Sequence, residues 1–402
     1  MSAGRWLSLI GIGEDGVEAL TPAARALIAD ASLIIGGARH LELIGPQKAE
    51  ILRWPSPLSA AMATILSHRG APTVVLASGD PFFFGVGDMI ARNVAVEEIF
   101  CLPAPSSFSL AAARLKWSQQ DCATLSLHGR AFERVTPHLQ PSRRLLILSW
   151  DETTPARLAA HLTALGMGES RIHVLEHMGG AEERIRSARA EAFSLTDIAP
   201  LNTIGVEVIA GHGARILPLT PGLPDDWFEH DGQITKRDIR AVTLAALAPR
   251  RGECLWDIGA GSGSIAIEWM LADPANRAIA IEQNATRAAR IARNAAALGV
   301  PDLVIVEGAA PQALAGLSTP DAIFIGGGGE AEIIEAAWNA LPLRGCIVAN
   351  AVTIETQALL IDAFARMGGE LVSIAIAKTR PIGSYHALEP ALPALQWRAV
   401  KS

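Results

Sequence analysis

The stretch LWDIGAGSGSIAIEW, Leu255 to Trp269, constrains the fold more than any other. The apolar run from Cys254 to Ile258 predicts a buried strand. It breaks into Gly259-Ala260-Gly261-Ser262-Gly263, and a helix is predicted from Ser264 onward. A strand, a glycine-rich turn and a helix make up the ligand-binding unit of parallel α/β sheets. The glycines admit strained backbone angles and let a ligand approach the main chain. The amides of the following helix point back at the same spot. The next apolar run, Ala278 to Ile281, ends in Glu282, about 20 residues beyond the turn, where an acid can accept both ribose hydroxyls of a nucleoside. Asp257, just before the turn, can meet a cationic or amine-bearing group. The candidate binding set is therefore Asp257, Gly259, Ala260, Gly261, Ser262, Gly263 and Glu282. A dinucleotide fingerprint requires glycine where Ser264 stands. A nicotinamide dinucleotide site and a ligand-free tight turn remain as alternatives at this point.

Acid, G-x-G-x-G and acid in this order resemble a class I S-adenosylmethionine methyltransferase. The 402 residues accommodate two or three domains. A net charge of −7 without any Lys/Arg run argues against nucleic acid as a partner. No apolar run approaches the ~18 residues of a membrane span, so no membrane association is expected. The first residues lack the pattern of a secretory leader, because Glu14 and Asp15 follow a short apolar run. A cytoplasmic location is expected. Cys101, Cys122, Cys254 and Cys346 form no metal or disulfide pattern, and no metal site is expected.

Upstream, Leu7 to Ile10 predicts a strand that runs into Gly11-Ile12-Gly13-Glu14-Asp15-Gly16. Thr21 then caps a helix with Pro22 at its first position. Leu33 to Ile35 and Thr73 to Ala77 predict strands, the latter ending in Ser78-Gly79-Asp80-Pro81-Phe82-Phe83-Phe84-Gly85. A helix is expected over 59–68 and a strand over 96–100. Pro103-Ala104-Pro105-Ser106-Ser107 then opens a helix to Leu115. Loops at the carboxyl ends of strands in one sheet converge on a cleft. Strand–GIGEDG, strand–SGDPFFFGVG and PAPSS before a helix resemble the tetrapyrrole methylases, or class III S-adenosylmethionine methyltransferases, over residues 5–210. Glu14-Asp15 and Ala104-Pro105 depart from that family's usual loops. The resemblance implies S-adenosylmethionine in a cleft between two lobes, against Gly11, Gly13, Gly79, Asp80, Pro81, Ser106 and Ser107. Strands are expected over 145–148, 172–175 and 203–209, and a helix over 154–165. Arg184, Arg186 and Arg189 are either contacts to substrate carboxylates or a solvated strand edge.

Pro218 to Gly232 is rich in Pro, Gly and acid and predicts a linker. The expected organisation is a tetrapyrrole methylase domain over 1–217, with lobes of about 1–115 and 116–217, a linker over 218–232, and a Rossmann-like class I domain over 233–402. Thr235 either caps the next helix or touches the cofactor. Beyond Glu282, a helix over 285–298 and a strand over 304–306 lead to Gly308, Ala309 and Ala310, whose backbone is placed to meet the adenine. The strand from Asp321 to Ile325 ends in Gly326-Gly327-Gly328-Gly329, which leaves room for a bulky flat substrate. Strands are expected over 346–350, 371–377 and 395–400, the last antiparallel to its neighbour. TKRDIR, DIGAGSGS, EGAAPQAL, IFIGGGG and VANAVTIET resemble the decarboxylating precorrin methyltransferases.

The two halves together resemble fused enzymes of cobalamin synthesis. That resemblance implies methylation of precorrin-6B at carbons 5 and 15, loss of carbon dioxide from the ring C acetate, and two S-adenosylmethionine sites. It also implies a homo-oligomer. An alternative makes the first half a module that only binds or delivers the tetrapyrrole. Peripheral carboxylates on such a substrate call for cations and polar groups. The candidates are Lys236, Arg237, Arg240, Lys378, Arg380, Tyr385 and His386, with Gly326, Gly327 and Asn350 at strand ends. Each charged or polar candidate has a solvent-facing side chain as its alternative. No catalytic acid or base is named, because an electron-rich ring carbon needs none to accept a methyl group.

Overall fold

Near-continuous apolar runs make strands that are buried on both faces, and such strands assemble in parallel. The computed structural model describes residues 4–326 and 330–402. The chain forms two units. One is Met1–Arg130 with His138–Ile216, and the other is Ala131–Pro137 with Leu217–Ser402.

In the first unit, β1 (Leu7–Ile12), β2 (Leu33–Gly36), β3 (Glu50–Arg53), β4 (Thr73–Ser78) and β5 (Ile99–Leu102) form a parallel sheet in the order β3-β2-β4-β1-β5. Every residue of β1 is buried. Thr21 caps the helix Pro22–Ala29, its Oγ1 accepting from the Ala24 amide at 3.2 Å. The expected helix over 59–68 is split into a 3₁₀ turn, Leu58–Ala61, and a helix, Met62–Ser67. The strand expected from Val96 starts only at Ile99, because Val96–Glu98 turns as a 3₁₀ helix.

The same unit holds a second sheet. Its strands are β6 (Cys122–Ser126), β7 (Arg144–Leu148), β8 (Arg171–Glu176), β9 (Arg184–Arg189) and β10 (Asn202–Glu207), in the order β6-β7-β10-β8-β9. Only the β6–β7 pair is parallel. The arginine cluster is the edge strand β9. Arg184 and Arg186 both reach the carboxylate of Glu176, at 2.7 and 3.2 Å, and Glu176 is buried. Two of the three arginines thus offset a buried acid.

The second unit carries β11 (Cys254–Ile258), β12 (Arg277–Glu282), β13 (Val304–Glu307), β14 (Ala322–Ile325), β15 (Cys346–Ala351), β16 (Glu370–Ile374), β17 (Ala377–Ile382), β18 (Tyr385–Pro390) and β19 (Ala394–Val400). Seven of them form one sheet in the order β13-β12-β11-β14-β15-β19-β16. The first five run parallel, and β19 is antiparallel to both neighbours. Side chains alternate across the sheet. Leu255, Phe324 and Val348 join one apolar layer with Trp269, while Trp256, Ile323 and Ile347 join the other with Trp397. Leu217, read above as the end of the first domain, and the segment 218–232, read as a linker, lie in this unit, where Leu217, Leu223 and Phe228 are buried in the first of these layers. β17 and β18 pair as a separate hairpin, exposed along its whole length. Among the described residues no helix is long and apolar enough to cross a membrane.

Candidate active site

The second unit brings its predicted binding residues to the carboxyl ends of β11, β12 and β13. Gly259, Gly261 and Gly263 all adopt positive φ, at 72, 60 and 76°, which glycine alone takes without strain. An added Cβ at Gly263 would lie 2.7 Å from Ile291 Cγ2. The amides of Gly259 and Ala260 donate to the Ile281 carbonyl, folding the turn back over β12. The helix Ser264–Ala272 starts from it.

Asp257 is fully buried beneath this turn. Its Oδ2 accepts from the Ala266 amide at 3.1 Å, and its Oδ1 has no partner. Burial pushes its pKa up to about 7, with the nearby Glu282 charge adding to the rise and the Ala266 bond opposing it. Ser262 Oγ is also buried without a partner. Unpaired buried polar atoms are costly, so two at one turn mark a place shaped for further hydrogen-bonding groups. Glu282 accepts from the Gly261 amide through Oε2 and from the Asn284 amide through Oε1, both at 2.9 Å. Each oxygen keeps a lone pair for a ligand hydroxyl. The Gly308 amide donates to the Glu282 carbonyl at 3.1 Å, which sets Gly308, Ala309 and Ala310 beside the same acid. Gly326, at the end of β14, donates its amide to Ile258, and an added Cβ there would lie 2.9 Å from Phe324 Cε1. Gly327 lies outside the described residues.

The polar candidates separate sharply. Arg240 is fully buried, and all three of its nitrogens are hydrogen-bonded inside the unit, so the reading of it as a substrate contact is corrected. Its Nε meets Glu268 at 2.5 Å, Nη1 meets Asp225 at 3.1 Å and the Thr235 carbonyl at 2.5 Å, and Nη2 meets the Leu223 carbonyl. Glu268 also accepts the amides of Gly222 and Leu223 at 2.6 and 3.0 Å. This buried pair clasps the 217–232 segment to the helix Arg237–Leu247. A glutamate inside the apolar run SIAIEWMLA was the signal that sequence reasoning passed over.

Thr235 does not cap that helix. The cap position is Lys236, and the Arg237 amide is held at 3.0 Å by Asp225. Lys236 and Arg237 stay exposed, although Arg237 Nε donates to the Gly222 carbonyl. Asn350 is tied into a polar triad. It donates to Thr243 Oγ1 at 2.8 Å and accepts from Gln396 at 2.9 Å, and both partners are buried with no cue to them in the sequence. Lys378, Arg380, Tyr385 and His386 lie on the β17–β18 hairpin rather than a loop. Lys378 pairs with Asp238 and Arg380 with Glu389, while Tyr385 is exposed.

In the first unit the three predicted loops do converge. A Cβ on Gly11 would overlap the Gly79 carbonyl at 1.8 Å and the Ala104 amide at 2.4 Å. One on Gly79, whose φ is +57°, would lie 2.8 Å from Ser106 Cα. These glycines let the loops touch one another. Gly13 lies against the Asp15 carboxylate, Asp80 accepts the Phe82 amide at 2.8 Å, and Pro81 is buried. Beside them is a cavity of about 340 Å³, lined by Ser78, Ser106 and Ser107 with Trp54, Phe83 and Phe84 among its apolar walls. Ser106 also caps the helix Ser107–Leu115 through the Ser109 amide.

His40, which the sequence did not single out, lines the cavity too. Arg39 Nη2 donates to Ser78 Oγ at 3.0 Å, and Ser78 lies 2.9 Å from His40 Nε2. Burial, then the Arg39 charge, pushes His40 down to about 4, so it is neutral at pH 7. Arg39 is paired with Glu14, whose second oxygen is 3.2 Å from His177. The unusual acid of the GIGEDG loop is thus the anchor of this cluster.

The chain matches the family model described as tetrapyrrole (corrin/porphyrin) methylases over residues 7–193 and that of a precorrin methyltransferase domain over 226–401. It is 55% identical over 398 residues to a Sinorhizobium protein named precorrin-6Y C(5,15)-methyltransferase [decarboxylating], covering 98% of this chain and 96% of that one. A Pyrobaculum calidifontis protein named probable cobalt-precorrin-6B C(15)-methyltransferase (decarboxylating) is 36% identical over 174 residues, 41% of this chain and 89% of its own. A Salmonella typhimurium protein named cobalt-precorrin-7 C(5)-methyltransferase is 29% identical over 181 residues, 44% of this chain and 88% of its own. With glycine-lined strand ends in both units and similarity along nearly its full length, the chain belongs to the family of precorrin-6Y C(5,15)-methyltransferases (decarboxylating).

Proposed function

We propose that this chain performs the reaction in its full-length relatives' names. It methylates a precorrin-6 macrocycle, precorrin-6B or the precorrin-6Y of those names, at carbons 5 and 15. It also removes carbon dioxide from the ring C acetate, giving precorrin-8x. The single observation that carries this reading is 55% identity over 98% of the chain. S-adenosylmethionine supplies the activated methyl group in both transfers. In the second unit Glu282 faces the ribose, the Gly308–Ala310 turn the adenine, and Asp257 with Ser262 the cationic end. The orphaned Asp257 Oδ1 and Ser262 Oγ support that assignment.

The residues do little covalent chemistry. They hold two reactants in line, which is worth on the order of 7–11 kcal/mol. Gly326 keeps the ends of β11 and β14 close through its amide bond to the Ile258 carbonyl. We assign the carbon-15 transfer and the decarboxylation to the second unit, and the carbon-5 transfer to the first. The separate relatives named for C(15) and C(5) support this division. A first unit that only delivers the tetrapyrrole is not favoured, since a protein of similar sequence is named for a methyl transfer of its own.

We also read the chain as a homo-oligomer. A lone two-stranded hairpin is marginal in water, and β17–β18 leaves Ile382, Tyr385 and Leu388 exposed. Isothermal titration of the full chain with S-adenosylmethionine tests the two-site reading. Two equivalents per chain are expected, and a single equivalent overturns it.

A further inference from the structure

Large aromatic side chains left in water around a cavity mark a ligand surface. In the first unit Phe82, Phe84 and Trp150 are 51, 41 and 53% exposed. They are grouped by the topology. Phe82 and Phe84 lie in the loop after β4. β6 and β7 run parallel with Ser126 opposite Leu148, so His128 and Trp150, each two residues further on, emerge side by side. Their ring centroids are 6.1 Å apart. Leu148, Phe83 and Phe84 all line the cavity described above.

Phe84 holds a φ of +58°, a conformation that bulky residues rarely adopt and that glycine takes freely. Strain of this kind persists where the surrounding structure holds the residue in place, and it clusters at functional sites. Rings of Phe83 and Phe108, with centroids 5.2 and 5.6 Å away, fix the orientation of Phe84. The exposed Arg130 guanidinium lies over the Phe84 ring, 5.4 Å from its centroid, and among the described residues it makes no ion pair. An uncommitted fork of donors beside exposed aromatic faces is complementary to a flat conjugated molecule bearing carboxylates.

We propose that Phe84, Trp150 and Arg130 form the acceptor seat of the first unit, where the conjugated tetrapyrrole stacks on the two rings and one peripheral carboxylate pairs with Arg130. This rests on the methyl-transfer function proposed for the first unit. The occupant that competes with it is the adenine of S-adenosylmethionine, which also stacks on aromatic faces.

The test uses the full chain carrying Glu282→Ala, which disables the second unit's cofactor site, so that only the first unit turns over. Arg130→Gln, Trp150→Ala and Phe84→Leu are added singly. Methylation of precorrin-7, the macrocycle in the name of the C(5) relative, is followed by mass spectrometry with each reactant varied in turn. Each change is expected to raise KM for precorrin-7 about tenfold, the size of one stacking or charge-assisted contact. KM for S-adenosylmethionine stays where it was. Arg130 and Trp150 are exposed, so their variants keep the test open if Phe84→Leu folds poorly. An unchanged KM for precorrin-7 overturns the seat alone. A raised KM for S-adenosylmethionine in its place gives these rings to the adenine and also overturns the seat. No methylation by the chain with an intact seat overturns the function of the first unit and the seat with it.

Discussion

Asp257→Asn should stabilise the ligand-free second unit, and by an amount that grows with pH. The Asp257 carboxyl is fully buried, one of its oxygens has no partner, and its pKa rises from 3.8 to about 7. Between those values the folded chain keeps a proton that the unfolded chain has lost. Stability therefore falls as pH rises from about 4 to 7, and levels off above. About three pKa units at about 1.4 kcal/mol each make this roughly 4 kcal/mol. Asparagine keeps the shape and can still accept from the Ala266 amide, but it carries no charge to desolvate. Scanning calorimetry of wild type and variant from pH 4.5 to 8.5 measures the difference. The two should unfold at similar temperatures at pH 4.5, and by pH 8 the variant's second unit should unfold roughly 10 °C higher. S-adenosylmethionine should bind the variant more weakly, since its cationic end loses a carboxylate partner. A temperature difference that does not change with pH, or a variant less stable than wild type at pH 8, would refute the reasoning.

Other outcomes follow from the same geometry. Arg240→Ala leaves Glu268 buried without its cation and should cost about 3–5 kcal/mol in chemical denaturation; a loss below 1 kcal/mol would show that the clasp is not structural. Arg240→Lys should recover little of it, because one ammonium cannot reach the Glu268, Asp225 and carbonyl partners that the guanidinium spans. Gly263→Ala forces a non-glycine residue to a φ of 76° and a Cβ to within 2.7 Å of Ile291. Its expected cost is about 1–3 kcal/mol, read by the same denaturation, and an unchanged midpoint contradicts it. Tyr385→Glu with Leu388→Glu should lower the mass measured by analytical ultracentrifugation, while an unchanged mass removes the hairpin from the assembly.

Legibility followed periodicity and backbone constraint. The turn at Gly259–Gly263 could be read because only glycine tolerates its angles, and Glu282 because an acid ends an apolar run. The loop convergence of the first unit could be read from glycine and proline at successive strand ends. Short strands with mixed polarity, β3 and β6, carry no such pattern. The roles of Arg240 and Asn350 could not be read either. Whether a polar side chain faces substrate or a buried partner depends on tertiary contacts with Glu268, Thr243 and Gln396, which lie 28, 107 and 46 residues away in sequence. Proline and acid over 218–232 resemble a linker in composition, yet Leu223 and Phe228 within it, and Leu217 just before it, are buried. The segment Ala131–Pro137 gave no sign of belonging to the second unit, where Pro137 packs against Gly299 and Arg134 pairs with Asp302.

The central claim is that each unit transfers one methyl group. The most direct measurement incubates the full chain, as wild type and as Glu282→Ala, with isotopically labelled S-adenosylmethionine and either precorrin-6B or precorrin-7, the macrocycle in the name of the C(5) relative, and reads the products by mass spectrometry. Wild type should add two labelled methyl groups to precorrin-6B and lose carbon dioxide. Glu282→Ala should retain the acetate carboxylate of precorrin-6B and add one methyl group to precorrin-7. If Glu282→Ala adds no methyl group to precorrin-7, the first unit is not a methyltransferase site and the account is contradicted.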